Sequence, residues 1–180
     1  LGADLVKALA ERTGRPVRLV GVGGRHLAAL GLRSLFDAGD IALMGVSAIV
    51  RDLPRLWRRI GETADAVGRA QPHCLVTIDS PEFALRVARK LRESRPAVPV
   101  VHYVCPSVWA WRPGRAPAMA AYVDRVLCLL PFEPAELARL KGPRGIYVGH
   151  RLTTDGNVLA AARAQAVRAP LAKGETGTLL

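Results

Sequence analysis

Acidic residues, cysteines, histidines and aromatics are all scarce in this 180-residue chain, and each shortage closes off a class of function. The three cysteines, Cys74, Cys105 and Cys128, are odd in number and lack metal-type spacing, so no disulfide framework or zinc module follows. Cys74 and Cys128 stand in apolar runs and are expected as buried thiols in a reducing compartment. Four histidines without a ligand-spaced cluster call for no catalytic metal, and no cofactor is expected. No apolar run reaches ~18 residues before a charge breaks it, so neither a spanning helix nor a signal peptide is expected, and any membrane contact is peripheral. Aromatics are 5% of the residues, too few outside one loop for a base-stacking surface. Nucleic-acid binding would rest on charge alone and fall steeply with salt.

The shortage of acid is the largest imbalance. Asp and Glu number 15 against 26 Lys and Arg, for a formal charge of +11 supplied almost wholly by arginine. Such a surface suits phosphate-bearing partners or anionic lipid, although an arginine-rich coding bias gives the same number.

Half of the residues are apolar, enough for one domain with a sizeable core. Periodicity predicts a helix over Leu1–Arg12 with Gly14 as its C-cap. Val17–Val22 reads as a strand ending in the glycine turn Gly21-Val22-Gly23-Gly24, and Arg33–Phe36 as another short strand. An almost uncharged stretch, Ile41–Val50, leads into a helix that begins at Ser47 or Asp52 and runs to Arg69. Leu53, Leu56, Trp57, Ile60, Ala64 and Val67 share one face of it, and arginines take the other turns.

Buried strands are expected at Cys74–Ile78, Val98–Tyr103, Val126–Leu130 and Ile146–Val148. Helices are expected after Ser80-Pro81, over Pro134–Leu140, and over Ala160–Ala169. Strands alternating with helices favour a Rossmann-like α/β fold, a parallel sheet with helices on both faces. Residues 1–170 are expected to form this domain incompletely, and 171–180 to open a linker or a further domain.

Ligands of open parallel sheets bind beyond the carboxyl ends of the strands. Gly23-Gly24, Asp79, the segment His102–Arg115 (HYVCPSVWAWRPGR), Pro131-Phe132-Glu133 and His150 all follow predicted strands at that end. Asp79 is placed either as a general base toward a hydroxyl or as a turn aspartate held by backbone N–H groups. Glu82 faces the same opening or serves as a first-turn glutamate. His102 holds an oxygen or moves a proton, or bonds a backbone carbonyl at the core edge. Trp109 and Trp111 stack on a sugar, border an acyl chain, or pack their loop. Arg112 and Arg115 suit phosphate by bidentate contact, or are solvated. The glycine turn lacks a full GxGxxG or Walker pattern and is weak evidence for a nucleotide.

The segments HYVCPSVWAWRPGR, VDRVLCLLPFE, YVGH, IDSPEF, VGVGGRHLAALG and LMGVSAIVRDLPRL resemble the lipid-A-disaccharide synthase family across nearly the whole chain. That resemblance implies the N-terminal half of a two-domain glycosyltransferase of the B type. It implies metal-independent, inverting transfer of 2,3-diacylglucosamine from UDP-2,3-diacylglucosamine to the 6-hydroxyl of 2,3-diacylglucosamine 1-phosphate. It also implies peripheral contact with the inner face of the bacterial inner membrane.

By the same resemblance Asp79 is the base, and Gly23, Gly24, Glu82, His102, Ser107, Trp109, Trp111, Arg112 and Arg115 line the acceptor cleft. His150 lies on the donor side, and Met44, Val46, Ile49 and Trp57 meet the membrane. The C-terminal donor domain and the family's N-terminal GETSGD segment with its strand are absent, so the chain alone is expected to be inactive. Further departures are Arg25 and His26 for a proline-arginine pair, Ala48 for an acidic residue, Ala84 for an amide and Arg151 for a proline. The competing expectation is a noncatalytic glycolipid- or membrane-binding fragment.

Overall fold

The computed structural model describes residues 1–42 and 49–166, which divide into two compact units, Leu1–Val148 and a second beginning at Gly149. In the first unit four short strands pair in chain order, all parallel: β1 (Leu75–Ile78), β2 (Val100–Tyr103), β3 (Arg125–Cys128) and β4 (Arg144–Tyr147). Parallel neighbours require crossovers, and each one here carries a helix. These are α5 (Pro81–Ser94), α6 (Arg115–Met119) and α7 (Glu133–Arg139).

The sheet's two faces are unequally covered. Leu75, Thr77, Val100, His102, Val126 and Cys128 share one register face and are buried. Leu85, Ala88 and Leu91 of α5, Met119 of α6 and Leu137 of α7 complete that core. Val76, Ile78, Val101, Tyr103 and Leu127 on the opposite face are only half-buried. Leu91 is wholly buried, so truncating it to alanine would cost about 2–5 kcal/mol.

The 21-residue helix α4 (Ile49–Arg69) lies against α5. Leu56, Ile60, Ala64 and Val67 form its buried stripe at helical spacing. Leu56, Ile60 and Ala64 join Phe83, Val87 and Phe36 in a second cluster. Trp57 departs from the expected face. It is 55% exposed and lies under the Arg86 guanidinium, 5.0 Å from the ring centroid.

Helix α1 (Gly2–Thr13) ends as its sequence demands, with Gly14 in the left-handed conformation at φ 63°. No residue of it is buried. Short helices α2 (Arg25–Ala28) and α3 (Gly39–Ala42) follow.

The strands expected over Val17–Val22 and Arg33–Phe36 do not form. One isolated bridge, Gly21 to Ser34, joins the two segments. The sheet ends at β1, so residues 17–22 have no ladder of hydrogen bonds to hold them, and β propensity alone does not substitute for one. Cys74, expected inside β1, precedes it and is exposed. Cys105 and Cys128 are buried.

In the second unit a 3-10 turn (Arg151–Thr154) leads into α8 (Gly156–Ala166), which has no buried residue. Residues 171–180, expected to open a linker, lie outside the described residues.

Candidate functional site

In-register parallel strands deliver their following residues to one end of a sheet. Ile78 pairs with Tyr103 and Tyr103 with Leu127, so Asp79, Val104 and Cys128 leave together. The Asp79 N–H donates to the Tyr103 carbonyl at 3.0 Å, and the Val104 N–H to the Leu127 carbonyl at 3.1 Å. Asp79 and the tryptophan loop therefore share this end. The chain turns sharply at both exits, with φ 50° at Asp79, 44° at Ser80 and 79° at Val104. Positive φ is uncommon outside glycine and costs a β-branched residue such as Val104 on the order of 1–3 kcal/mol. Asp79 stands exposed on this constrained turn. Ser80 makes no side-chain cap; its carbonyl instead accepts the Phe83 and Ala84 N–H groups of α5.

His102 is wholly buried beneath the same rim. Its Nδ1 lies 2.8 Å from Thr77 Oγ1, the residue directly across the β1–β2 pair. Its Nε2 is buried with no hydrogen-bond partner. Burial strips the ring of water and pushes its pKa down to about 4. The negative charge of Asp79 opposes that shift and the positive charge of Arg115 adds to it. His102 is thus a neutral imidazole with one nitrogen unmatched, and its electrostatics are coupled to groups at the mouth.

Glu82, in the first turn of α5, gathers three arginines. Arg86 lies 3.1 Å from Oε2, Arg112 lies 3.4 Å from Oε1, and Arg115 also bonds Oε1. Partial burial alone would raise the Glu82 carboxyl, but the Arg115 hydrogen bond and the charges of Arg115, Arg86 and Arg112 outweigh it. The carboxylate sits below its ordinary range, which suits it to hold arginines and makes it a poor proton acceptor near neutrality. Of the three arginines Arg115 is the most shielded, its side chain 17% exposed.

Trp109 and Trp111 behave differently despite their spacing. Trp109 packs on the main core and meets Phe132 edge to face at 5.1 Å. Trp111 is 61% exposed, and the Arg112 guanidinium sits 4.1 Å from its ring. The Ser107 carbonyl accepts the Trp111 N–H at 2.9 Å and turns the chain between them. The exposed Trp111–Arg112 pair presents an aromatic ring and a cation together, chemistry suited to a sugar beside a phosphate.

Other expected residues have local roles. A Cβ on Gly23 would lie 2.7 Å from terminal methyls of both Leu27 and Leu32, which would have to move, whereas nothing lies near a Cβ on Gly24. His150 belongs to the second unit, where its Nδ1 accepts the Leu152 N–H at 3.2 Å and caps the 3-10 turn. Met44, Val46 and Ala48 lie outside the described residues. Ile49 begins α4, and only its backbone is described. Among the described residues no helix is long and apolar enough to cross a membrane.

Thr77, Arg86 and the grouping of Cys105, Cys128 and Glu133 escaped the sequence reading. The first two had available signals. Thr77 is a polar residue inside an apolar strand, and Arg86 stands one helical turn beyond Glu82.

The family model described as lipid-A-disaccharide synthetase matches residues 1–168. The lipid-A-disaccharide synthase of Nitrobacter hamburgensis is 59% identical over 152 residues, covering 84% of this chain and 38% of that protein. That of Rhodopseudomonas palustris strain HaA2 is 57% identical over 153 residues, covering 85% and 39%. That of Ruegeria pomeroyi is 44% identical over all 180 residues, 44% of its own length. The chain thus spans about two fifths of the length of these curated relatives.

Proposed function

The chain belongs to the lipid-A-disaccharide synthetase family, and on that premise we propose that it forms the acceptor side of a glycosyltransferase. The acceptor is 2,3-diacylglucosamine 1-phosphate, and the donor is UDP-2,3-diacylglucosamine. Most of the donor pocket belongs to the part of the relatives that this chain does not match, with His150 on the donor side.

One observation carries this reading. At a single end of the sheet, exposed Asp79 stands on a constrained turn over buried His102, and the loop carrying the Trp111–Arg112 pair leaves β2 at that same end. In the reaction the Asp79 carboxylate takes the proton of the acceptor hydroxyl as that oxygen attacks the anomeric carbon. The bond from that carbon to the UDP phosphate breaks on the opposite side, UDP leaves with the electron pair, and the configuration inverts. Asp79 must approach from the acceptor side for the two oxygens to lie in line. Arg112 and Arg115, held by Glu82, take the 1-phosphate, and the buried neutral imidazole of His102 backs the cleft beneath Asp79.

Peripheral attachment to the inner face of the inner membrane fits the same molecule. Trp57, Ile60, Arg86, Arg89, Lys90 and Glu93 line a groove between α4 and α5, where an exposed indole lies among cations. Such a surface suits anionic headgroups.

The test compares this chain with a protein completed by a donor half from a relative. The chain alone should bind the acylated glucosamine phosphate saturably without releasing UDP, because donor and acceptor are not held together. The completed protein should form the disaccharide. Equal turnover by both would refute the division into halves, and no acceptor binding by either would refute the acceptor assignment.

A further inference from the structure

Cys105, Cys128 and Glu133 belong to three different segments: the exit of β2, the end of β3 and the first turn of α7. One ligand atom from each nevertheless lies within 4.8 Å of the other two. All three are buried, at 5%, 0% and 3% exposure. Glutamate is among the residues least often buried without a partner, and a hydrogen bond from the Leu130 N–H to Oε2 at 3.0 Å occupies one oxygen of this one.

From this juxtaposition we propose that Cys105, Cys128 and Glu133 form a metal site of the zinc class. The site ties the tryptophan loop to the end of β3 and the start of α7. Two sulfurs and a carboxylate oxygen are donors that zinc accepts, and hard cations such as magnesium do not favour thiolates. Tetrahedral zinc bonds of these kinds place neighbouring ligand atoms about 3.5–3.8 Å apart, so the three need only draw together by roughly 1 Å. Gly145 of β4 packs closely behind Cys128, since a Cβ there would lie 3.1 Å from Cys128 Sγ. Each ligating thiol gives its proton to solvent and bonds the metal through a sulfur lone pair, with no change of oxidation state.

The placement gives the ion a mechanical consequence. Cys105 opens the loop that carries Trp109, Glu133 adjoins Phe132, and Trp109 meets Phe132 at 5.1 Å. An ion at the three ligands fixes both roots of that aromatic pair from beneath. This role is independent of the transfer chemistry and does not use Asp79.

The experiment titrates the reduced, metal-stripped protein with Co2+, then displaces it with Zn2+, and follows absorption and thermal unfolding. The expected result is one equivalent per chain, thiolate-to-cobalt charge-transfer bands that Zn2+ abolishes, and a raised Tm with Zn2+. The bands should vanish in Cys105→Ser and in Cys128→Ser, weaken in Glu133→Gln, and persist in Cys74→Ser, whose thiol is exposed. Bands that survive the double substitution of Cys105 and Cys128, or that disappear with Cys74, would overturn the site. If a cysteine variant does not fold, the unsubstituted protein decides, because absence of any thiolate band in it is refutation.

Discussion

Thr77 Oγ1 and His102 Nδ1 meet at 2.8 Å across β1 and β2, and this contact leaves His102 Nε2 buried and unmatched beneath the exposed Asp79 turn. A paired strand thereby fixes the orientation of the buried imidazole. The two residues occupy directly opposed register positions, so neither can shift without moving its strand.

That geometry makes stability depend on pH. Burial holds His102 down to about 4, partly offset by the charge of Asp79 and reinforced by Arg115, whereas an unfolded histidine titrates near 6.5. As pH falls through this window the unfolded chain takes up a proton that the folded chain refuses. The stability due to His102 is therefore complete above ~6.5 and is lost as pH falls toward ~4, at most about 3 kcal/mol. Urea unfolding across this range should show the slope, and His102→Gln should flatten it. An identical slope in the variant would contradict the assignment.

Asp79→Ala in a protein completed with a donor half should lower kcat by about 100-fold or more, the usual worth of a positioned base. Acceptor KM should change little. Asp79 is exposed, so circular dichroism and Tm should stay close to the parent's. Near-normal turnover would remove Asp79 from the base role.

Trp57→Ser should weaken sedimentation with anionic vesicles while leaving Tm within about 2 °C, since an exposed side chain contributes little to stability. Added salt should weaken the parent's attachment by screening its arginines. Polar substitution of Met44 and Ile49 should act in the same direction. Vesicle binding that ignores all three changes would leave the groove without a membrane role.

Two glycines should respond oppositely to alanine. Gly145→Ala drives a Cβ to 2.8 Å from the Pro134 backbone, and overpacking of that kind costs about 1–3 kcal/mol. Gly114 has helical φ and ψ and open space where a Cβ would go. Gly114→Ala should be neutral or stabilise by up to about 1 kcal/mol. Chemical denaturation of the two variants distinguishes them, and equal effects would contradict the packing around β4.

The turns that carry the candidate site are legible in the sequence because their signals are local. An apolar run followed by Asp79-Ser80-Pro81 predicts a strand, a turn and a helix start, and β1 and α5 bracket that turn. Proline and tryptophan mark the loop after β2 in the same way. Trp57 misled, because helical spacing places it at the border of the apolar stripe and only the packing of α4 on α5 decides which side it takes. Residues 17–22 misled for the opposite reason. Their composition favours a strand, but a strand exists only through a neighbour's hydrogen bonds, and the sheet supplies none there.

By itself the sequence determined the order of strands and helices, the charge of the surface, the family, and the segments that carry reactive groups. Periodicity, turn chemistry and composition are short-range properties written directly into the chain. Tertiary structure alone decided that Glu82 is ringed by arginines from α5, the tryptophan loop and α6, that His102 keeps one nitrogen unmatched, and that Cys105, Cys128 and Glu133 converge. Those facts depend on strand register and on helices folding back over the sheet, where distance along the chain no longer measures distance in space.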